Sequence, residues 1–188
     1  MSQRDDEIRC MLIPLREGRL LLPNAAVAEV IGYREPDALD HPLPWLQGKV
    51  GWHQRDIPVV DFERLLGRSV AGGGIRQRIA VCYALQPESA WPLIGLVAQG
   101  IPRLLRVQRE VIEFAGTPAS DASPIRMRIS VGGEELMVPD LDYLHTQLPT
   151  GSANSRLSEN HPTGPGLPPA RPTVPFPCAA RAAPAVRR

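Results

Sequence analysis

The sequence predicts an all-β protein built from two similar small barrels. About ten short apolar segments with strand character, each ended by Gly, Pro or polar residues, follow one another along most of the chain. A six-residue pattern occurs twice, as IPVVDF at 57–62 and as VPDLDY at 138–143, and an apolar helical segment follows each copy. Each barrel is therefore predicted to end in the same kind of strand-to-helix corner.

The first predicted elements are a hairpin and a third strand. Strands are predicted at 8–15 and 19–22, because Gly18 lies in the polar turn between them. Residues 25–33 predict a short helical start that passes into a strand at 27–33, where β-branched and aromatic residues prefer extended backbone.

Residues 45–67 form the centre of the predicted first barrel. A strand that begins at Gly48, a polar tip at 54–56 and a second strand at 57–60 predict a hairpin. Asp61 follows as the expected N-cap of a short helix, and the glycine that ends the segment is a typical helix stop.

The second half repeats this arrangement. Residues 75–148 predict a second barrel, joined to the first at 8–68 by the glycine-rich connection 69–74, and the two make one domain over 8–148. Gly132-Gly133 is typical of a hairpin turn, and leucines at helical spacing predict a closing helix. The strands predicted in this half are 79–85, 91–98, 100–107, 125–131 and 134–138.

The C-terminal segment 149–188 has a different composition. It holds nine of the chain's 21 prolines, with Ser, Ala, Gly and Arg and few apolar residues at periodic positions. Such a segment cannot bury enough apolar surface to offset the entropy lost on ordering. It is predicted to be a disordered tail.

Composition and charge narrow the possible function classes. A net charge of +1 gives no electrostatic reason to expect nucleic acid or an anionic membrane as a partner. The N-terminus is polar and acidic, unlike a signal peptide, and no apolar run reaches the ~18 residues of a membrane span. Cys10 and Cys82 lie in apolar strand patterns as core residues, and together with Cys178 they show no metal or disulfide spacing. These features predict a cytoplasmic protein with no direct membrane insertion.

No catalytic constellation stands out from the sequence. A triad of Cys82, His53 and Asp61 can be imagined, but no nucleophile motif surrounds the cysteine. The glycines at 72–74 are not followed by the Lys-Ser/Thr pair of a phosphate loop, and no HExxH or CxxC motif is present. The sequence therefore predicts no enzyme activity, no catalytic or metal-binding residues and no cofactor. Small barrels instead expose sheet edges and grooves that take partner proteins.

The pattern over residues 8–148 resembles the CheW-like domain, the adaptor fold of bacterial chemosensory arrays. The run VAEVIGY at 27–33 resembles the Val-x-Glu-Ile-x-x-Tyr-type segment of that family. The stretch beginning at Gly48 is similar to the Gly-x-x-Asn-Leu-Arg-Gly-x-x-x-Pro-Val-x-Asp-Leu signature, with Gly-Trp-His-Gln at 51–54 in place of Asn-Leu-Arg-Gly. The segment GLV at 95–97 resembles the Gly-x-x-Val-Asp segment of the second barrel.

This resemblance implies two intertwined five-stranded SH3-like barrels with a hydrophobic groove between them. It implies a non-catalytic adaptor whose barrels bind a CheA-type histidine kinase and whose groove takes the cytoplasmic tip of a methyl-accepting chemoreceptor. The departures from the signature look like those of the ChpC or PilI branch, which serves type IV pilus twitching motility. The partner-binding residues expected on this basis are Val27, Glu29, Ile31, Gly48, Trp52, His53, Arg55 and Pro58.

One departure concerns an ion pair of the family. The residue matched by Glu29 pairs there with the signature Arg, and this chain has His53 in its place. A neutral His would be a weaker and pH-dependent partner. Arg55 would share the face of His53 if the strand continued through the tip, and would then supply the charge; otherwise it is a solvated turn residue.

A nucleic-acid-binding small barrel is the alternative reading of the same fold. Such a protein would need a basic face with exposed aromatic rings. The three tryptophans here, Trp45, Trp52 and Trp91, fall in apolar strand patterns, so the sequence favours the adaptor.

Overall fold

The computed structural model describes residues 7–40, 43–68, 74–84, 91–116 and 123–149. These residues form mostly strands, with two short α-helices and two single 3₁₀ turns. In chain order the elements are β1 (Glu7–Pro14), β2 (Arg19–Pro23), a 3₁₀ turn (Asn24–Ala26), β3 (Val27–Gly32), β4 (Leu46–Trp52), β5 (Arg55–Val60), α1 (Phe62–Leu65), β6 (Arg78–Tyr83), β7 (Leu93–Ala98), β8 (Arg103–Gln108), a 3₁₀ turn (Arg109–Val111), β9 (Ile112–Phe114), β10 (Ile125–Val131), β11 (Glu134–Pro139) and α2 (Leu141–Gln147).

The strands form two sheets, which confirms the predicted all-β fold. One sheet has five strands in the order β3-β6-β7-β5-β4, and the other has six in the order β8-β1-β2-β11-β10-β9. Each sheet takes one hairpin from one half of the chain and the remaining strands from the other half. The connection at 69–74 is therefore a boundary in the sequence and not a boundary between the sheets.

Parallel pairings join the two halves inside each sheet. Val59 of β5 lies beside Gly95 of β7, and Met137 of β11 lies beside Leu20 of β2. A Cβ atom on Gly95 would lie 2.6 Å from Cγ2 of Ile79, so the absence of a side chain allows this close packing. Antiparallel pairings of β3 with β6 and of β1 with β8 also join the two halves, and together these pairings interlock the strands.

The start of β3 confirms the transition predicted for residues 25–33. A 3₁₀ turn covers Asn24–Ala26, and the strand begins at Val27, where the β-branched residues begin.

The hairpin of β4 and β5 has a tighter turn than the predicted polar tip at 54–56. Trp52 pairs directly with Arg55, and only His53 and Gln54 lie between them, with φ values of 42° and 63°. Two left-handed residues form the turn type whose twist matches the strands. The predicted tip is therefore wrong for Arg55 and Asp56, because both residues belong to β5. The Asp56 carboxylate is buried and forms an ion pair with Lys49, whose Nζ lies 3.0 Å away.

The predicted strand-to-helix corner is confirmed. The Asp61 carboxylate caps α1 by accepting hydrogen bonds from the backbone N–H groups of Glu63 and Arg64. Gly67 ends the helix with φ 74°, and the N–H groups of Gly67 and Arg68 donate to the carbonyls of Arg64 and Glu63. This pair of bonds is the Schellman motif, which satisfies carbonyls at a helix end.

The core has three apolar clusters. A central cluster takes residues from both sheets and both helices, including Ile13, Leu96, Phe62 and Leu144. Of the other two, one belongs to the five-stranded sheet and one to the six-stranded sheet. Each sheet thus encloses its own interior, while the central cluster holds the two sheets together.

Two of the predicted cysteine positions lie within the described residues. Cys10 and Cys82 are buried in the core, as predicted, and burial raises the pKa of the Cys82 thiol to about 12. Cys178 and the predicted tail, from residue 150 onward, lie outside the described residues. Within the described segments, no helix is long and apolar enough to cross a membrane.

Candidate partner-binding site

Three of the predicted site residues meet where β3 passes the turn of the β4–β5 hairpin. Nε1 of Trp52 donates a hydrogen bond to Oε2 of Glu29 over 2.7 Å. Nε2 of His53 lies 3.3 Å from the same carboxylate oxygen. The Trp52 and His53 rings meet edge to face, with centroids 4.4 Å apart and an interplanar angle of 88°. We call Glu29, Trp52 and His53 the Glu29 cluster.

The Glu29 cluster presents an anionic group to solvent. The hydrogen bond from Trp52 and then the contact with His53 hold the pKa of the Glu29 carboxyl below its ordinary value. The side chains of His53 and Glu29 are 71% and 46% exposed. A partner can therefore reach the ionised carboxylate and the imidazole without displacing any core residue.

The backbone under His53 is strained. His53 and Gln54 both have positive φ, which costs a side-chain-bearing residue about 1 kcal/mol each because Cβ approaches the following carbonyl. Glycine would relieve this strain, and the β10–β11 hairpin does use Gly132 and Gly133 at its turn, with φ values of 60° and 84°. Strained non-glycine residues of this kind are common at functional sites.

The side chain of Arg55 does not contact Glu29 in the described part of the chain. It lies in β5 opposite Trp52 and is exposed, and among the described residues this side chain forms no hydrogen bond or ion pair. Arg55 would share the face of His53 only if the strand continued through the tip, and the two-residue turn interrupts that strand. Within the described segments, the side chains that contact the Glu29 carboxylate are those of Trp52 and His53.

Two other predicted site residues flank the cluster on β3. Val27 is half-buried and packs against the central core, and Ile31 is half-buried against the core of the five-stranded sheet. The strand between them is irregular, because a register shift lies between Val27 and Glu29. This irregularity brings the acidic side chain out toward solvent.

The last two predicted site residues, Gly48 and Pro58, are buried. Gly48 has φ 139°, and a Cβ atom there would lie 2.3 Å from the carbonyl oxygen of Asp37. Asp37 exchanges two backbone hydrogen bonds of 2.8 Å with Lys49, so the chain at Asp37 lies antiparallel beside β4. In the folded chain, Gly48 and Pro58 position the hairpin and offer no side chain to a partner.

Sequence reasoning missed two exposed apolar side chains in and just before β8, an edge strand of the six-stranded sheet. Leu104 in β8 is 54% exposed and Ile101 just before it is 59% exposed. The strand pattern offered a signal, because Leu104 shares the outer face of β8 with Arg106 while Leu105 and Val107 face the interior. Single exposed apolar side chains are common on protein surfaces, so Leu104 alone does not define a contact surface.

The site offers no evident metal chemistry. Among the residues that the structure describes, no group of three or more His, Cys, Asp or Glu side chains is placed to hold a metal ion. The Glu29 cluster contains one carboxylate and one imidazole, and its third member is an indole, which donates a hydrogen bond and does not ligate.

Comparisons with known proteins agree with this architecture. The crystal structure of the scaffolding protein TtCheW from Thermoanaerobacter tengcongensis matches with a TM-score of 0.65 and 16% identity, over 81% of this chain and 96% of that one. No curated protein sequence matches the chain. The CheW-like domain family matches residues 9–147, nearly the whole described part of the sequence. The chain belongs to the CheW-like domain family, a family of chemotaxis scaffolds.

Proposed function

We propose that this protein is a non-catalytic adaptor that couples a methyl-accepting chemoreceptor to a CheA-type histidine kinase. The observation that carries the proposal is the Glu29 cluster: an exposed anionic group, a tryptophan and a histidine held on a strained turn. Its place in a CheW-like fold supports a scaffold role.

The surface around the cluster suits a helical partner. Half-buried Val27 and Ile31 supply apolar area beside the Glu29 carboxylate, and Arg55 stands free across the hairpin within the described part of the chain. A helix that carries an apolar stripe with a basic residue at its border would bury the apolar area and pair with Glu29. The cytoplasmic tip of a chemoreceptor is the helical partner that we propose for this surface.

The kinase is the second proposed partner, and the cytoplasm is the proposed location. Further, we propose that the system serves type IV pilus twitching motility, in the manner of the ChpC or PilI branch. This finer assignment is supported by the residues that replace the signature, Gly-Trp-His-Gln at 51–54, because Trp52 and His53 are the two that contact Glu29.

The test is co-purification with the receptors and CheA-like kinases of the same organism. Glu29→Lys places a cation beside His53 and should abolish or strongly reduce recovery of the receptor fragment. Because Glu29 is exposed, the melting temperature should stay nearly unchanged. Glu110→Lys is the matched control, since this exposed glutamate lies in the 3₁₀ turn after β8, and it should behave like the wild type. Equal recovery by Glu29→Lys and the wild type would refute the assignment of the surface.

A nucleic-acid-binding role has little support from the tryptophans. Trp91 is only 2% exposed, and its Nε1 donates to the carbonyl of Pro149. Trp52 is engaged with the Glu29 carboxylate, which would repel a phosphate backbone. A titration with single-stranded DNA should show no salt-dependent binding.

A further inference from the structure

In the described part of the chain, a cleft of about 540 Å³ lies where β1, β2 and β8 of the six-stranded sheet meet the segments just before β6 and just after β7 of the five-stranded sheet. Leu12, Pro14 and Ile101 give it apolar walls, and Arg19, Arg76 and Arg103 line its rim. Its position is fixed by the backbone, since the N–H of Gln99 donates to the carbonyl of Pro14 over 2.8 Å. We call this cleft the arginine cleft.

The charges at the rim are only partly neutralised. Arg19 pairs with Glu134 at the surface. Among the residues that the structure describes, the side chains of Arg76 and Arg103 form no hydrogen bond or ion pair, and Arg103 is exposed. The cleft thus combines apolar walls with two guanidinium groups that have no carboxylate partner within the described segments.

Strand pairing places Arg103 where Glu29 lies in the other sheet. Arg103 pairs with Leu12 of β1, and Glu29 pairs with Val81 of β6. Leu12 and Val81 occupy equivalent positions in their hairpins. Each lies the same number of residues before the residue whose backbone N–H closes the hairpin, which is Leu15 for β1–β2 and Ala84 for β6–β7. The two sheets therefore carry opposite charges at matching positions, and a partner suited to one would be repelled by the other.

We propose that the arginine cleft is a docking site for an acidic segment of a partner protein. Carboxylates of that segment pair with Arg76 and Arg103, and an apolar side chain enters between Leu12, Pro14 and Ile101. Guanidinium groups suit this role because their planar donors match a carboxylate in two-point contact. None of the residues that line the cleft belongs to the Glu29 cluster, so the proposal does not depend on the function proposed for that cluster.

The probe for this proposal is a short fluorescein-labelled peptide that alternates Glu and Leu, followed by fluorescence anisotropy with the full chain. The wild type should bind it, and Arg103→Glu should weaken binding roughly fivefold or more, since a reversed charge removes one pair and adds a repulsion. Arg76→Glu should act in the same direction. Arg109→Glu, an exposed reversal in the 3₁₀ turn after β8, is the matched control and should bind like the wild type.

Three comparisons decide the outcome. The double variant Arg76→Glu with Arg103→Glu should lose the Glu–Leu peptide and gain a Lys–Leu peptide. A Glu–Ser peptide should bind more weakly than Glu–Leu, because it leaves the apolar walls empty. Arg103→Gln repeats the test without repulsion and should weaken binding by a smaller factor. Equal binding by Arg103→Glu and the wild type, an equal loss with Arg109→Glu, or equal binding of the Glu–Ser peptide would overturn the proposal.

Discussion

The two strand-to-helix corners of the molecule share a backbone but differ in side chains. Asp61 and Asp140 cap the two helices with almost the same dihedral angles, φ -90° and ψ 99° against φ -89° and ψ 99°. Each donates its own N–H to a carbonyl just before the preceding hairpin, that of Trp45 over 2.8 Å and that of Pro124 over 2.9 Å. In each hairpin, the pairing register also shifts near the start of the first strand. The two corners therefore repeat in structure, but Asp61 corresponds to Asp140, so the six-residue sequence pattern, which matched Asp61 with Asp142, was wrong in its register by two residues.

The differences lie where side chains meet solvent or a neighbouring segment. The first hairpin turns on His53-Gln54 and the second on Gly132-Gly133. Just after the register shift, the first hairpin has Gly48 and the second has Met127. The shared features build the sheets, while the altered ones give the first corner a tryptophan and a histidine at its turn and a glycine where Asp37 packs against β4. This division locates the candidate site in the first corner.

The largest expected effect comes from a substitution at Gly48, the glycine at the register shift of the first corner. Gly48→Ala should lower the free energy of unfolding by about 3 kcal/mol, because the new Cβ would lie 2.3 Å from the Asp37 carbonyl oxygen in an already unfavourable backbone conformation. Gly67→Ala is the control: its φ is also positive, but a Cβ there has open space, so the cost should be about 1 kcal/mol. Urea denaturation measures both, and equal costs would contradict the close approach.

Exchanging the two turns sharpens the comparison. Gly132→His with Gly133→Gln should destabilise the second hairpin by about 2 kcal/mol, because side chains are forced into left-handed backbone. The reverse change, His53→Gly with Gln54→Gly, should stabilise the protein slightly, by about 0.5 kcal/mol, and should weaken receptor co-purification. A loss of stability in the second variant would show that the first turn is not strained.

The two helix caps should differ in strength. The Asp61 carboxylate is buried, accepts two backbone bonds and also accepts from Nε2 of Gln47 over 3.1 Å. Asp140 accepts one backbone bond, from Tyr143, and pairs with exposed Arg126. Asp61→Ala should therefore cost about 2 kcal/mol and Asp140→Ala about 1 kcal/mol. Thermal melts of the two variants give the order, and the reverse order would refute this account of the corners.

The smallest expected effect is on the titration of Glu29. Its pKa is held below the ordinary value of 4.5, first by the hydrogen bond from Trp52 and then by His53. Trp52→Phe should raise the pKa more than His53→Ala does, as measured by NMR of the side-chain carboxyl carbon. Because the folded pKa is the lower one, the cluster's contribution to folding is present above the unfolded pKa and is lost as the pH falls through the folded pKa. A larger rise with His53→Ala would assign the main interaction to the histidine.

Local features of the fold were predictable from the sequence. The strands at the first hairpin, the transition at Val27 and the cap at Asp61 each follow from residues close together in the chain. Glu29 and His53 were also expected to meet, by resemblance to the family pair, and the structure brings them to 3.3 Å. Such features depend on propensity, alternation and capping, which are written into short segments.

Long-range features could not be predicted in the same way. The exchange of hairpins between the sheets depends on parallel contacts such as Val59 beside Gly95, whose partners are far apart in sequence. The turn at His53-Gln54 was misplaced because neither residue is a typical left-handed turn former. The arginine cleft gathers side chains from four separate segments, so no local pattern announced it.

The measurement that tests the central claim most directly is autophosphorylation of the cognate CheA-like kinase in a mixture with receptor signalling fragments and this protein. The account predicts that receptor control of the kinase requires the wild-type chain and is lost with Glu29→Lys, while Glu110→Lys supports it fully. If the kinase responds to the receptor equally well without the protein, or with Glu29→Lys in place of the wild type, the claim that this surface couples the two is contradicted.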